Sequence, residues 1–157
     1  MRKKKVITKV TAMLLSFAVV FSMIPGVVFA DTGAVDLSAI PEFSAADDYS
    51  KTEYKISSEY TLKAFATAIK EDNGYGTYSM KGKTFYLAND IVLSGNWTPI
   101  SNVAYPADAF AGTFDGQGHK ITGLNVVSGT NGAGLFGTVN GGTIKNLVVE
   151  GIVDVTS

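Results

Sequence analysis

Asp115 and His119 stand four residues apart in the segment Asp-Gly-Gln-Gly-His, where a carboxylate and the chain's only histidine come close together in sequence. A carboxylate beside an imidazole is the smallest set of groups for general acid–base work. With one histidine, a His-rich metal site is excluded and any triad has to be built around His119. The same spacing fits a turn aspartate bonded to its own backbone and a histidine at a glycine corner, and that is the reading adopted. The glycines and Asp115 also resemble a calcium-binding repeat, but the Gly-Gly-x-Gly-x-Asp nonapeptide is missing. Polysaccharide lyases built from stacked strands cluster carboxylates with a basic residue along one face. The candidates for that are Asp90, Asp108, Asp115 and Glu150 with Lys120 or Lys145, and the repeat described below places no two of these acids on one rung. Gly-Gln-Gly and Asn-Gly-Gly are turns, because neither phosphate-binding glycine motif is present. No catalytic, cofactor-binding or metal-ligating residue is assigned, and no enzyme activity and no cofactor is expected.

Aromatic side chains offer a different chemistry. Trp97, the sole tryptophan, and Tyr105 are the candidate ligand-surface aromatics, with Phe110 and Phe114 close by, since an exposed row of rings stacks on sugars. The reading adopted is that Trp97 and Phe110 fill the interior of a first coil. Asn96-Trp97-Thr98 matches the N-glycosylation acceptor pattern.

Several elements must position these groups. Arg2 and Lys3 to Lys5 form a basic head, Met13 to Phe21 an apolar run, and Val28-Phe29-Ala30 a small-residue end, so residues 1–30 read as a bacterial export signal cleaved before Asp31. Five of the thirteen basic residues lie there, leaving eight lysines against fourteen acids, a net charge of −6. Nucleic acid is therefore not an expected partner, and no membrane attachment is expected once the signal is removed. The chain has no cysteine, which excludes disulfides, thiolate metal sites and a lipid-modified cysteine. Residues 31–57, with Pro41 and the Asp47-Asp48 pair, read as an exposed leader. Leu62, Phe65, Ala66 and Ile69 then fall at helical spacing, predicting a helix from about Ser58 to Lys70 with Ser58 or Thr61 at its start. Beyond Gly82, short runs of strand-forming residues follow at Thr84–Leu87, Ile91–Leu93, Lys120–Val127, Gly134–Val139 and Thr143–Val155. Fifteen of the seventeen glycines lie between Gly74 and Gly151, a punctuation that marks many tight corners.

Gly112-Thr113-Phe114-Asp115-Gly116 matches Gly137-Thr138-Val139-Asn140-Gly141 at an offset of 25. Ile121, Leu124 and Val126 match Ile144, Leu147 and Val149 at an offset of 23. A near-repeat whose length changes only at a turn predicts stacked coils of parallel strands, with Leu124 above Leu147. Gly123 and Asn146 then stand at bends, where both residue types tolerate positive φ, and Asn146 is placed to stack over the neighbouring coil.

The stretch from Gly95-Asn96-Trp97-Thr98-Pro99-Ile100 through Phe110 to Leu124, followed by Gly134-Leu135-Phe136-Gly137 and Ile144-Lys145-Asn146-Leu147, resembles the GLUG-type repeat region of bacterial surface proteins. The likeness covers about Tyr60 to Val153. It implies a right-handed parallel β-helix with one N-terminal capping α-helix, set in an adhesin-like protein or ahead of a peptidase domain. Two departures stand out: one Gly-Leu-Phe-Gly unit where several are usual, and Ser101 where glycine commonly follows Pro-Ile. Two or three visible coils are few for a stable stack, so residues 58–157 are expected to be the capping helix and first coils of a longer solenoid. The expected function is a non-catalytic, structural or adhesive segment of a secreted or cell-surface bacterial protein. Its partners would be host protein or glycan, or the bacterial cell wall through regions beyond Ser157. The alternative is the non-catalytic N-terminal part of a large exported peptidase or glycan-active enzyme.

Overall fold

The computed structural model describes residues 35–46, 49–70, 80–101, 109–127 and 132–154, all within one compact unit, Ala34–Ser157. The export signal expected over residues 1–30 lies outside the described residues. Eight elements follow one another: β1 (Glu53–Ile56), α1 (Glu59–Lys70), β2 (Thr84–Leu87), β3 (Ile91–Val92), β4 (Thr113–Asp115), β5 (Lys120–Val126), β6 (Thr143–Lys145) and β7 (Val148–Val153). They form two sheets, β1-β2-β4-β6 and β3-β5-β7, and every strand pair is parallel. Successive passes of the chain add one strand to each sheet. Two parallel bridges outside the strands, Ile100 to Phe136 and Phe110 to Val139, join the passes a third time.

The registers correct the repeat read from sequence. Thr84, Thr113 and Thr143 lie in one column and Phe85, Phe114 and Ile144 in the next, at steps of 29 and 30 residues. Ile121 opposes Val149, Leu124 opposes Gly151 and Val126 opposes Val153. Leu124 therefore does not lie above Leu147. The phrase Gly137-Thr138-Val139 belongs to the bridged connection between the sheets, where Val139 pairs with Phe110. The true counterpart of Gly112-Thr113-Phe114 is Gly142-Thr143-Ile144, tied to it by Thr143 N–H donating to Gly112 O at 2.8 Å. Gly134–Val139, expected as a strand, makes only bridges. Thr143–Val155, expected as one run, is broken at Asn146 into β6 and β7.

Both expected bends have positive φ, at +74° for Gly123 and +53° for Asn146, but they occupy different places. Asn146 turns the corner between the sheets, beneath the Gly116–Gly118 corner, whose N–H groups reach Lys145 O and Asn146 O. Gly123 sits in a bulge, where Thr122 and Gly123 of β5 face the single residue Glu150 of β7.

The helix follows its sequence pattern. Ser58 caps it: Thr61 N–H donates to Ser58 Oγ at 3.2 Å, and Ser58 N–H donates back to Thr61 Oγ1 at 3.1 Å. That reciprocal pair satisfies donors that the first turn leaves free. Leu62, Phe65 and Ile69 are fully buried. The Phe65 ring lies 4.4 Å from that of Phe85, 5.5 Å from that of Phe43 and 5.9 Å from those of Phe110 and Phe114. The helix thus supplies the centre of an aromatic core.

Residues 31–57 are not an exposed leader over their described part. Phe43, Tyr54 and Ile56 are buried, β1 pairs in register with β2, and Phe43 N–H donates to Lys55 O. Glu53-Tyr54-Lys55-Ile56 alternates polar and apolar over only four residues, too few to stand out as a strand without its neighbour. The Asp47-Asp48 pair lies outside the described residues.

Candidate functional site

Trp97 follows the Gly95-Asn96 turn after β3, and its surroundings fix it on both sides. Its backbone N–H donates to Asn125 O at 2.7 Å, and its indole Nε1–H donates to Leu135 O at 3.0 Å. It is 5 % exposed. Of the two readings of this residue, exposed ring or interior of the first coil, the structure has the interior one: the indole bonds inward because a large ring with one donor is best satisfied where that donor finds a carbonyl. Phe110 and Phe114 are likewise buried, and Tyr105 lies outside the described residues.

The outer side of Trp97 borders a cavity of about 260 Å³, lined also by Lys63, Ala66 and Thr67 of α1 and by Asn96, Thr98 and Pro99. The Asn96 carboxamide oxygen accepts from Asn125 Nδ2 at 3.0 Å. Lys63 pairs with Glu59 at 2.7 Å. Glu59 also accepts from Ser94 N–H at 2.7 Å and from its hydroxyl, joining the first turn of α1 to the turn after β3. Lys63 and the Ser94 donors hold the Glu59 carboxyl at about 2.

Asp115 and His119 do not pair. His119 Nδ1 instead lies 3.1 Å from Asp90 of the preceding pass, and Asp90 also accepts from Lys120 N–H. That backbone bond, with His119, holds Asp90 below its ordinary range. The contact is exposed, and it ties two passes together. Asp115 is buried. It bonds its own turn, accepting from Gln117 N–H at 3.0 Å, and accepts from Asn146 Nδ2 at 3.0 Å and Lys145 Nζ at 3.1 Å of the next pass. Burial pushes its carboxyl up, and these donors outweigh burial and hold it below the ordinary range. Tyr86, next to Asp115 in the register, is pushed up to about 12 by burial and its bond to Glu53. Glu150 is exposed and Asp108 lies outside the described residues. Among the described residues, no three His, Cys, Asp or Glu side chains gather as a metal site. The titratable groups of this region serve to stack one pass on the next.

Sequence reasoning singled out Ser101 as a departure from the GLUG-type pattern but gave it no role. It is fully buried at φ +55°, and its Oγ accepts from Phe110 N–H at 2.9 Å. The signal was its place in the pattern where glycine is usual.

No family model matches the chain, and no solved structure matches it. Among curated proteins, Halomucin of Haloquadratum walsbyi is 47 % identical over 58 residues, which is 36 % of this chain and 1 % of that protein. The chain thus spans about a hundredth of the length of the relative that it resembles.

Proposed function

We propose that this chain is a non-catalytic segment of an exported cell-surface protein, built as a right-handed parallel β-helix that serves as a structural or adhesive stalk. The observation that carries the reading is the column Thr84, Thr113, Thr143 beside the column Phe85, Phe114, Ile144. Like residues meet like on successive passes, which is how a coiled stack keeps one interior. The right hand follows from the strong preference of parallel crossovers. The GLUG-type resemblance and the basic-apolar-small order of residues 1–30 support export to a surface. The carboxylates support a structural role, because Asp90 and Asp115 are each engaged in joining passes. Weak contacts repeated along such a face gain strength from number, which suits host protein or glycan as partner.

The stack is tested with cysteine pairs, since the chain has none of its own. Val92 opposes Thr122 in register, and neighbouring strands place Cα atoms roughly 4.8 Å apart, inside disulfide reach. V92C/T122C is expected to close a disulfide in the folded protein. A pair that stays reduced while the fold is retained removes the stack. The surface reading is tested by protease treatment of intact cells, where protection of the chain from digestion removes it.

A further inference from the structure

The cavity beside Trp97 gathers the groups that a small neutral ligand needs. Ala66, Pro99 and the Trp97 ring present carbon to it, since the one donor of the indole is already given to Leu135 O. The polar side chains around it have capacity left. Asn96 engages its carboxamide oxygen with Asn125, a residue outside the lining, and keeps the donors of Nδ2. Thr67 gives its hydroxyl proton to Lys63 O and keeps the oxygen as an acceptor. The hydroxyl of the exposed Thr98 both donates and accepts. Charge is matched within the wall, because Lys63 pairs with Glu59 at 2.7 Å. At about 260 Å³ the space falls below the roughly 300–1,000 Å³ that drug-sized ligands occupy, and it suits a single six-membered ring. Every lining residue falls between Lys63 and Pro99, so the last pass takes no part in it.

We propose that this cavity binds one neutral pyranose unit of a glycan. A pyranose carries C–H patches and hydroxyls on one rigid ring, so it meets the carbon wall and the hydrogen-bonding groups at once. A purely apolar ring of the same size would take water from Asn96 and Thr98 and return no bond, a loss at each. An anion would have to displace Glu59 from Lys63 and would face the Glu59 charge at short range. Tyr60 lies on the Lys63–Thr67 side of α1 by helical spacing and is 80 % exposed, a ring free to stack on a second sugar of the same glycan. A site this small binds weakly, and many copies on one surface compensate for that by number. The proposal names a partner for the adhesive reading and rests on that reading for the encounter with glycan, while the ligand class is argued from the cavity alone.

The test is titration of the chain with the methyl glycosides of glucose, galactose, mannose and N-acetylglucosamine. Binding is read by the emission of Trp97, the sole tryptophan, and by NMR shifts of the backbone amides. At least one of these sugars is expected to bind with a Kd of about 1 mM, as fits so small a ligand, and to move the signals of Thr67, Trp97 and Thr98. T98V keeps the shape of the side chain and removes a hydroxyl, and is expected to weaken binding about fivefold. A66L fills the cavity from α1 and is expected to abolish binding. V92T changes an exposed valine outside the lining and is expected to leave it unchanged. Should A66L fail to fold, T98V and the wild-type NMR shifts decide. No binding of any of the four sugars, tighter binding of cyclohexanol or inorganic phosphate than of the best sugar, or sugar binding that T98V leaves intact overturns the proposal. Sugar bound elsewhere on the chain removes the cavity and leaves the adhesive reading standing, whereas that reading falls on the protease treatment of intact cells, so the two failures are told apart.

Discussion

Gly123→Ala, set against Gly118→Ala, measures how closely one pass lies on the next. Both glycines hold left-handed backbone, at φ +74° and +82°. An alanine in that region costs roughly 1–2 kcal/mol, offset in part by about 0.4–1 kcal/mol from the stiffer unfolded chain. A Cβ on Gly118 meets nothing within 4 Å, so G118A carries only this difference, about 1 kcal/mol. A Cβ on Gly123 stands 2.5 Å from Leu93 O. That oxygen is backbone and must retreat, straining the neighbouring Leu93 N–H to Thr122 O bond at 2.8 Å. Forced overpacking adds roughly 1–3 kcal/mol and a weakened hydrogen bond about 1, so G123A is expected to lose about 3–5 kcal/mol in all. Urea titration reads this as a fall in midpoint of at least about 1 M for G123A, given slopes near 1–3 kcal/mol per M. Midpoints for the two variants within about 0.2 M of each other would refute the close contact between the turn after β3 and the bulge of β5.

The remaining expectations concern burial, the Ser101 turn and pH. Phe114 and Ile144 share a column, at 0 and 41 % exposure; F114A is expected to cost about 3–5 kcal/mol and I144A about 1–2, measured by urea denaturation, and equal costs contradict the difference in burial between the two passes. S101A keeps the strain of φ +55° and removes the shorter of the two acceptors of Phe110 N–H, leaving Thr138 O at 3.3 Å, an expected loss of about 1 kcal/mol. S101G loses the same acceptor but relieves the strain, so it is expected to melt above S101A, and the reverse order contradicts the account. Glu59 is lowered from the ordinary 4.5 to about 2, so its contribution is fully present above pH 4.5 and is lost as pH falls toward 2. The melting-point gap between wild type and E59Q is therefore expected to narrow over that interval in acid, and a gap constant with pH contradicts the Glu59–Lys63–Ser94 clamp.

Residue chemistry was legible in the sequence where a local rule decided it. The apolar stripe of α1, its Ser58 cap, the strand Thr84–Leu87 and the positive φ of Gly123 and Asn146 all follow from spacing and residue type. Register was not legible, for a specific reason. Gly-Thr followed by a strand-forming residue occurs at Gly137-Thr138-Val139 and again at Gly142-Thr143-Ile144, and a text match takes the first while the hydrogen bonds select the second. Phase, not wording, distinguishes them: only Ile144 falls where Phe85 and Phe114 require an apolar residue. The leader misled in the opposite way, since Phe43 and Tyr54 are buried by long-range pairing that no local period reveals. Around the candidate cavity, a lone tryptophan reads the same in sequence whether its indole points outward or donates to Leu135 O.

The core changes character along the stack in a way that follows its cover. Phe43, Tyr54, Phe65, Phe85, Phe110 and Phe114 are packed near the capped end, in edge-to-face and tilted contacts between 4.4 and 6.3 Å. Phe136 extends the cluster at 5.3 Å from Phe110. At the last pass the inward phases are Ile144, Val149 and Val153. A phenyl ring gains most when wholly enclosed, because its area and its ring contacts both count. Isoleucine and valine hold an extended backbone by the stiffness of their own χ1, whether or not a neighbour covers them. Rings therefore stand where α1 and the 41–43 segment complete their burial, and β-branched residues stand where β6 and β7 are part-exposed.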